Sequence, residues 1–276
     1  MNIIRAGAKA VFPELRGKLG GIRYPCFAEV KWDGEAAVIN YNRAMSIPIL
    51  STNKYGAMRT QWSKLDKIKM LLEEKDIAQA MFLAEIYCDT GKNGSLYQLL
   101  SNKDNDNRLS IRIYDVCHIT ADDYEMIGAE TPLIDRKEIL VDIFKEEKQY
   151  LVRPVVMKNK NEVQSLFEER TQEGYEGIVV KNFDGNLIIG PCDWVKMKHK
   201  DQTDYRVCLI DGVKERIEVE VPNPSNNDIV TVGVKCVNKY KKTLSLGDIV
   251  TIEHQGVLES GSLRHPVFIG KAREEE

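Results

Sequence analysis

Lys31 and Asp33 stand two residues apart in the stretch Phe27-Ala28-Glu29-Val30-Lys31-Trp32-Asp33-Gly34. Apolar and polar residues alternate up to Lys31, and Asp33-Gly34 then breaks the run as a turn. An amine at a strand end with a carboxylate beside it is a candidate covalent nucleophile. A surface hairpin with a solvated lysine would give the same short pattern, so the rest of the chain must decide. Four further strand-like apolar runs carry a charged or polar aromatic residue: Glu85, Tyr114-Asp115, Glu176 with Lys181, and Lys196 with Lys198. A lone charge in an apolar strand is costly unless it is paired or functional. One such run is ordinarily a satisfied salt bridge. Five of them, holding several lysines and carboxylates, point to a pocket for a polyphosphate and a metal. Lysines neutralise phosphate as point charges, carboxylates hold Mg²⁺ through oxygen, and a flanking aromatic can stack on a base.

The elements that must position these residues are readable in outline. Returning strands are predicted at Ala36–Tyr41 and Pro48–Thr52, and a helix over Gln61–Ala80 from the spacing of Leu65, Ile68, Leu72 and Ile77. Strands follow at Met81–Tyr87 and Leu109–Val116, separated by a polar loop over Asp89–Arg108. Helices are predicted at Pro132–Lys148 and Lys160–Glu173, with strands at Leu151–Val156, Gly177–Lys181 and Trp194–Lys198. From Tyr205 onward helical periodicity fades. Short β-rich runs at Arg206–Ile210, Ile217–Val221, Ile229–Cys236, Asp248–His254 and Pro266–Ile269 suggest a small barrel of the OB type. The expected organisation is α+β: residues 1–201 form a domain of antiparallel sheets with flanking helices, and residues 202–276 form a β-barrel domain.

Bulk composition narrows the partners. The 276 residues carry a net charge of −3, which argues against non-specific coating of nucleic acid but leaves room for a local basic face. Lys239, Lys241 and Lys242 around Tyr240 supply one such patch; a solvated edge strand would look the same. The six cysteines have no CxxC spacing and the four histidines no metal-ligand spacing. With no apolar run of membrane-span length and no signal-peptide pattern, the expectation is a cytoplasmic protein, or one of the host cytoplasm if viral, without a membrane partner.

The ordered set of motifs resembles the covalent nucleotidyltransferase superfamily of ATP-dependent DNA ligases, RNA ligases and mRNA capping enzymes. Lys31-Trp32-Asp33-Gly34 is similar to its motif I, Leu83-Ala84-Glu85-Ile86 to motif III, and Ile113-Tyr114-Asp115-Val116 to motif IIIa. Glu176 to Lys181 matches the EGxxxK of motif IV, and Trp194 to Lys198 the WxKxK of motif V. With Gly261-Ser262-Leu263-Arg264-His265-Pro266-Val267-Phe268 near the end, the resemblance favours a DNA ligase of the minimal two-domain kind, with an adenylation domain followed by an OB-fold.

That resemblance implies nick sealing in duplex DNA by a monomer, with ATP and Mg²⁺ (or Mn²⁺), in replication, repair or recombination. Lys31 would become the lysyl-AMP, oriented by Asp33. Glu29, Val30, Glu85 and Tyr114 would bind the nucleoside, with Glu29 accepting from the adenine amine. Lys181, Lys196 and Lys198 would hold phosphate, Lys196 and Lys198 also aiding loss of the Lys31 proton. Glu176, with Glu85, would hold metal, and Arg273 would orient pyrophosphate. Lys54 and Arg59, with Lys239, Lys241 and Lys242, would contact nucleic acid. The chain departs from the family pattern in three places. Ala36 stands where an arginine is usual, Ser51-Thr52-Asn53-Lys54 lacks the usual arginine, and the last basic motif reads Arg273-Glu274-Glu275. Of the two candidate clamping loops, Asp89–Arg108 and Asn223–Lys242, the second is preferred for its lysines. A capping guanylyltransferase or an RNA ligase would use the same lysine chemistry. A non-catalytic OB-fold protein binding single strands is the alternative of another class.

Overall fold

The computed structural model describes residues 13–16, 19–53, 56–60, 62–88, 108–121, 124–128, 130–186 and 190–272. The chain divides into two compact units, Met1–Lys198 and His199–Glu276.

Alternation of apolar residues in the first unit builds two sheets. One has the order β1 (Pro13–Arg16), β11 (Gly190–Lys198), β10 (Gly177–Asn182), β2 (Cys26–Lys31), β9 (Val155–Met157). Its β1–β11 pair is parallel and its other pairs antiparallel. The other sheet is antiparallel throughout, in the order β5 (Met58–Arg59), β4 (Ile49–Asn53), β3 (Glu35–Asn42), β6 (Ile77–Cys88), β7 (Leu109–Ala121), β8 (Tyr124–Ile127).

Helices cover the outer faces of both sheets. Leu65, Ile68 and Leu72 of α1 (Ser63–Glu74) and Leu140 and Ile143 of α2 (Leu133–Ile143) pack with Ala37, Ile39, Phe82, Ile111 and Ile113. Full burial of a leucine or isoleucine contributes about 1.5–3 kcal/mol. Val163 and Leu166 of α3 (Lys160–Gln172) pack with Ala28, Ile178 and Val180 on the first sheet. α3 starts where sequence chemistry places it: the Asn159 side chain accepts from the Glu162 amide at 3.0 Å, a helix N-cap. Facing inward from both sheets, Val38, Met81, Leu83, Cys117 and Trp194 form a smaller apolar cluster, and the charged residues lie on that same side.

The second unit is an antiparallel sheet in the order β14 (Ile229–Lys235), β13 (Arg216–Pro222), β12 (Asp201–Ile210), β15 (Ile249–His254), β16 (Val267–Lys271), with its own core around Val207, Val219 and Ile252. Among the described residues its hydrogen-bonded order is open: where a β-barrel was expected, the unit is a five-stranded antiparallel sheet with no ladder joining β14 to β16.

Several boundaries differ from the sequence prediction. The helix expected over Gln61–Ala80 stops at Glu74, because Asp76 adopts a left-handed φ of 51° and Ile77 opens β6. The helix expected to reach Lys148 stops at Ile143. In place of a strand from Leu151, only an isolated bridge joins Leu151 to Ile113 before β9.

Candidate active site

Three strand ends meet at Gly177. As the first residue of β10 it pairs with Lys31, the last of β2, and with Lys198, the last of β11. Directly opposed residues share a sheet face, so the two lysines flank the glycine. Only glycine fits there: its φ is +145°, and a Cβ would lie 1.9 Å from the Met197 carbonyl oxygen. The preceding Glu176 sets its carboxylate between the lysines, Oε2 against Lys31 Nζ and Oε1 against Lys198 Nζ. The lysine side chains are 20% and 21% exposed and Glu176 6%, so this group opens to solvent through its cations. Two ammonium groups on one carboxylate leave positive charge where a polyphosphate could enter. Half-buried Lys196 lies on the same face, opposite Val179, which also opposes Glu29.

The Asp33-Gly34 turn brings this group against the second sheet. A Cβ on Gly34 would stand 2.3 Å from the Ile86 carbonyl oxygen and 2.9 Å from Glu85 Cγ. Burial pushes the Glu85 carboxyl up to about 7; nearby Glu176 and Asp33 push the same way, against Lys31 and the Gly34 N–H. No group of three or more His, Cys, Asp or Glu side chains able to hold a metal occurs among the described residues. Glu85 and Glu176 are nonetheless close enough to act on each other. An oxygen pair of this kind fits a hard cation that takes its remaining ligands from phosphate and water.

A second Glu–Lys group is buried deeper. Glu29 is 2% exposed, with Oε2 accepting from Lys181 Nζ at 2.6 Å and Oε1 against Lys137 Nζ. Both ammonium groups also donate to the Tyr114 carbonyl, at 2.6 and 3.3 Å. Lys181 Nζ lies 3.9 Å from the Trp194 ring centroid and 5.2 Å from that of Tyr114. Burial lowers the Lys181 pKa to about 8 despite Glu29. Lys181 was expected to hold phosphate; at 1% exposure its ammonium is instead committed to Glu29, a carbonyl and two rings.

A double irregularity in β7 sets this inner floor. Leu83 pairs with Asp115 but Ala84 with Ile113, leaving Tyr114 as an extra residue, and Cys117 is skipped likewise between Val116 and His118. Such bulges re-aim side chains. Here Tyr114 turns toward Trp194, 6.1 Å between centroids and nearly perpendicular. Asp115 meets Arg136 in a two-pronged bond, 2.9 Å on each side, with both side chains 0% exposed. Burial opposes the Asp115 charge, yet the Arg136 contact brings its pKa below the ordinary carboxylate value.

The remaining expected residues scatter. Val30 pairs with Ile178, whose side chain lies under α3, so it points away from the lysine face. Arg59 lies over Trp62, 5.9 Å from its centroid. Lys239 and Lys242 are exposed in the second unit, with Lys239 Nζ 5.1 Å from the ring centroid of the half-exposed Tyr240. Lys241 is a correction: it is buried, donating to the carbonyls of Asp211 and Lys214 at 2.6 Å each, which ties the short α4 (Asn238–Lys241) down and removes it from any nucleic-acid contact. Asn223–Lys242, preferred as a clamping loop, is for the most part not loop. β14 takes up 229–235 and the short α4 238–241, and the turn at 223–228 closes on itself through Asn223 and Asp228 and carries no lysine or arginine. Lys54, Arg273 and the Asp89–Arg108 loop apart from its last residue lie outside the described residues.

Arg136 and Lys137 were missed, although a signal existed. They fall on the same helical stripe as Leu133, Leu140 and Ile143, where apolar residues belong. Arg112 was missed as well; nothing in its alternating run marks it.

Comparison with known proteins bears on this arrangement. The family model described as "ATP dependent DNA ligase domain" matches residues 18–198. A DNA ligase of Staphylothermus marinus is 24% identical over 211 residues, 72% of this chain and 34% of that protein. The chain thus spans about a third of the length of that relative. A probable DNA ligase of Dictyoglomus turgidum is 29% identical over 110 residues, 38% of this chain and 18% of that protein. Among solved structures, a Lig E DNA ligase studied as a minimal DNA-binding scaffold superposes with a TM-score of 0.72 at 13% identity, over 95% of this chain and 99% of that one. The ATP-dependent DNA ligase of bacteriophage T7, solved with ATP, gives 0.53 at 15% identity, over 98% and 99%. These likenesses are of fold.

Proposed function

The chain belongs to the family of ATP-dependent DNA ligase domains; on that premise we propose that it seals 5′-phosphate/3′-hydroxyl nicks in duplex DNA through a lysyl-AMP intermediate. The observation that carries the reading is the placement of Lys31 at a strand end, held by Glu176 to Lys198 across Gly177 and close to Glu85.

Lys31 Nζ loses its ammonium proton to water and, as the free amine, attacks the α-phosphorus of ATP. A nitrogen–phosphorus bond forms, the bond to the bridging oxygen breaks, and pyrophosphate leaves. The adenylate then passes to the nick's 5′-phosphate oxygen as the nitrogen–phosphorus bond breaks. Finally the 3′-hydroxyl displaces AMP. Glu176 orients the Lys31 side chain before attack, while Lys196 and Lys198 neutralise phosphate oxygens. Glu85 and Glu176 would hold a divalent cation, Mg²⁺ or Mn²⁺, which when bound supplies charge neutralisation at the phosphates. Glu29, fixed by Lys137 and Lys181, keeps lone pairs for a nucleobase amine. The second unit is read as an OB-fold whose exposed Lys239 and Lys242 meet the duplex, and the protein as a monomer.

Incubation with labelled ATP or GTP, followed by sealing assays on nicked DNA and nicked RNA, tests the reading. An ATP adduct and sealing of nicked DNA are expected. A GTP adduct would identify a guanylyltransferase, and sealing of RNA alone an RNA ligase. No adduct, with oligonucleotide binding retained, would leave a non-catalytic binding protein.

A further inference from the structure

The strand register sets a guanidinium opposite Glu85 that no role yet explains. Ala36 of β3 pairs with Glu85 of β6, and Glu85 with Arg112 of β7. All three share one face of the six-stranded sheet, because their neighbours Ala37, Ala84, Ile111 and Ile113 all lie in the core on the other face. The guanidinium carbon lies 4.5 Å from the Trp32 ring centroid and 5.7 Å from that of Tyr87. Trp32 follows Lys31 directly and packs on Tyr87, 4.4 Å between centroids. Arg112 is therefore stacked on the residue that follows the candidate nucleophile.

Its charge has no carboxylate partner among the described residues: none lies within ion-pair distance of Arg112, although its cross-strand neighbour is Glu85. One of its terminal nitrogens donates to the Gln149 carbonyl, and its buried Nε has no acceptor among the described residues. Stacking leaves the in-plane N–H groups to hydrogen-bond; one terminal nitrogen is taken by Gln149, and Nε with the other terminal nitrogen forms the edge that suits the paired oxygens of a phosphate. Arg136, by contrast, spends that edge on Asp115.

We propose that Arg112 is a phosphate-binding residue of this cleft, supplying from β7 the guanidinium that position 36 lacks. The inference rests on the nick-sealing reading. The phosphate is either the ATP tail or the 5′-phosphate of the nick, and the two chemical steps tell them apart.

The experiment compares wild type with Arg112→Gln, which keeps a donor for Gln149 and removes the charge. Adduct formation with labelled ATP and single-turnover transfer from pre-adenylated protein to nicked DNA are measured beside thermal melting. A fall on the order of tenfold or more in one step, with melting unchanged, is expected. A fall in adduct formation names the ATP tail, and a fall in transfer names the nick phosphate. Ala36→Arg added to Arg112→Gln should recover part of the lost rate. Wild-type rates in both steps overturn the proposal. So does a rate loss that Arg112→Lys shares in full together with lowered melting, which marks a packing role. If wild type itself forms no adduct, the nick-sealing reading fails and this inference with it; if wild type forms one and Arg112→Gln matches it in both steps, this inference alone fails.

Discussion

The first unit holds the same motif twice, a glutamate between two lysines, at two depths. In the outer group Lys31 and Lys198 are about one-fifth exposed around Glu176. In the inner group Lys137 and Lys181 are 3% and 1% exposed around Glu29, and their ammonium groups are further bonded to the Tyr114 carbonyl. Composition does not separate the two; access and surplus partners do. A cation whose hydrogen bonds are saturated by protein has no vacancy for a reactant, whereas a cation with one carboxylate and open water can exchange it for phosphate. The inner group thus ties α2 to both sheets, and the outer group is left for chemistry.

The sharpest way to break this comparison is Lys31→Ala, which should abolish the nucleotide adduct while leaving thermal melting near wild type. An adduct that persists would transfer the role to another lysine. Lys137→Met should do the reverse. Removing one partner of a buried ion pair costs about 3–5 kcal/mol, read as a lowered denaturant midpoint, while adduct formation survives at a temperature where the variant stays folded. Gly177→Ala strikes the alignment beneath the outer group. Its Cβ has no room against the Met197 carbonyl, so a stability loss toward the upper end of about 1–3 kcal/mol is expected, with adduct formation falling alongside.

Glu85→Gln sharpens the contrast by pH. Because the folded carboxyl titrates near 7 against an ordinary value of 4.5, the folded state holds a proton that the unfolded chain releases between those values. Wild-type stability therefore falls as pH rises from 4.5 to 7. In the presence of chelator, Glu85→Gln should be the more stable protein at pH 8, by on the order of 2–3 kcal/mol, with no advantage at pH 4.5. Equal melting profiles across that range would remove Glu85 from the coupled group. The smallest effect is expected from Lys239→Ala with Lys242→Ala: weaker binding to nicked duplex and a salt slope reduced by about 2, with the adduct unaffected.

Much of this was legible in the sequence, for reasons that can be named. Lys31, Glu85, Glu176 and Lys198 stood out because charge in an apolar strand run is rare, and the strands that carry them were located within a few residues, except that β11 starts earlier. The inner group was half legible. Glu29 and Lys181 stood out, but their partner Lys137 lies on a helix, where a cation excites no suspicion unless its stripe is traced. Arg112 alternates correctly and carries no local signal, since its meaning depends on Trp32, which follows a strand of the other sheet. The end of β7 was misread at Val116, because alternation there gives way to a spacing of three: Ile113, Val116 and Ile119 all enter one core.

That spacing has a consequence for tolerated change. Each of the two irregularities, at Tyr114 and at Cys117, inserts one residue relative to β6. Each bulge absorbs its own extra residue, so Ile113, Val116 and Ile119 keep facing one core although they are spaced by three. Losing either extra residue alone should therefore restore an ordinary ladder at that point and leave Ile119 buried, with the loss of Tyr114 felt at the nucleotide floor and not in the core. Length variation of one residue should be tolerated at these two points and nowhere else between them.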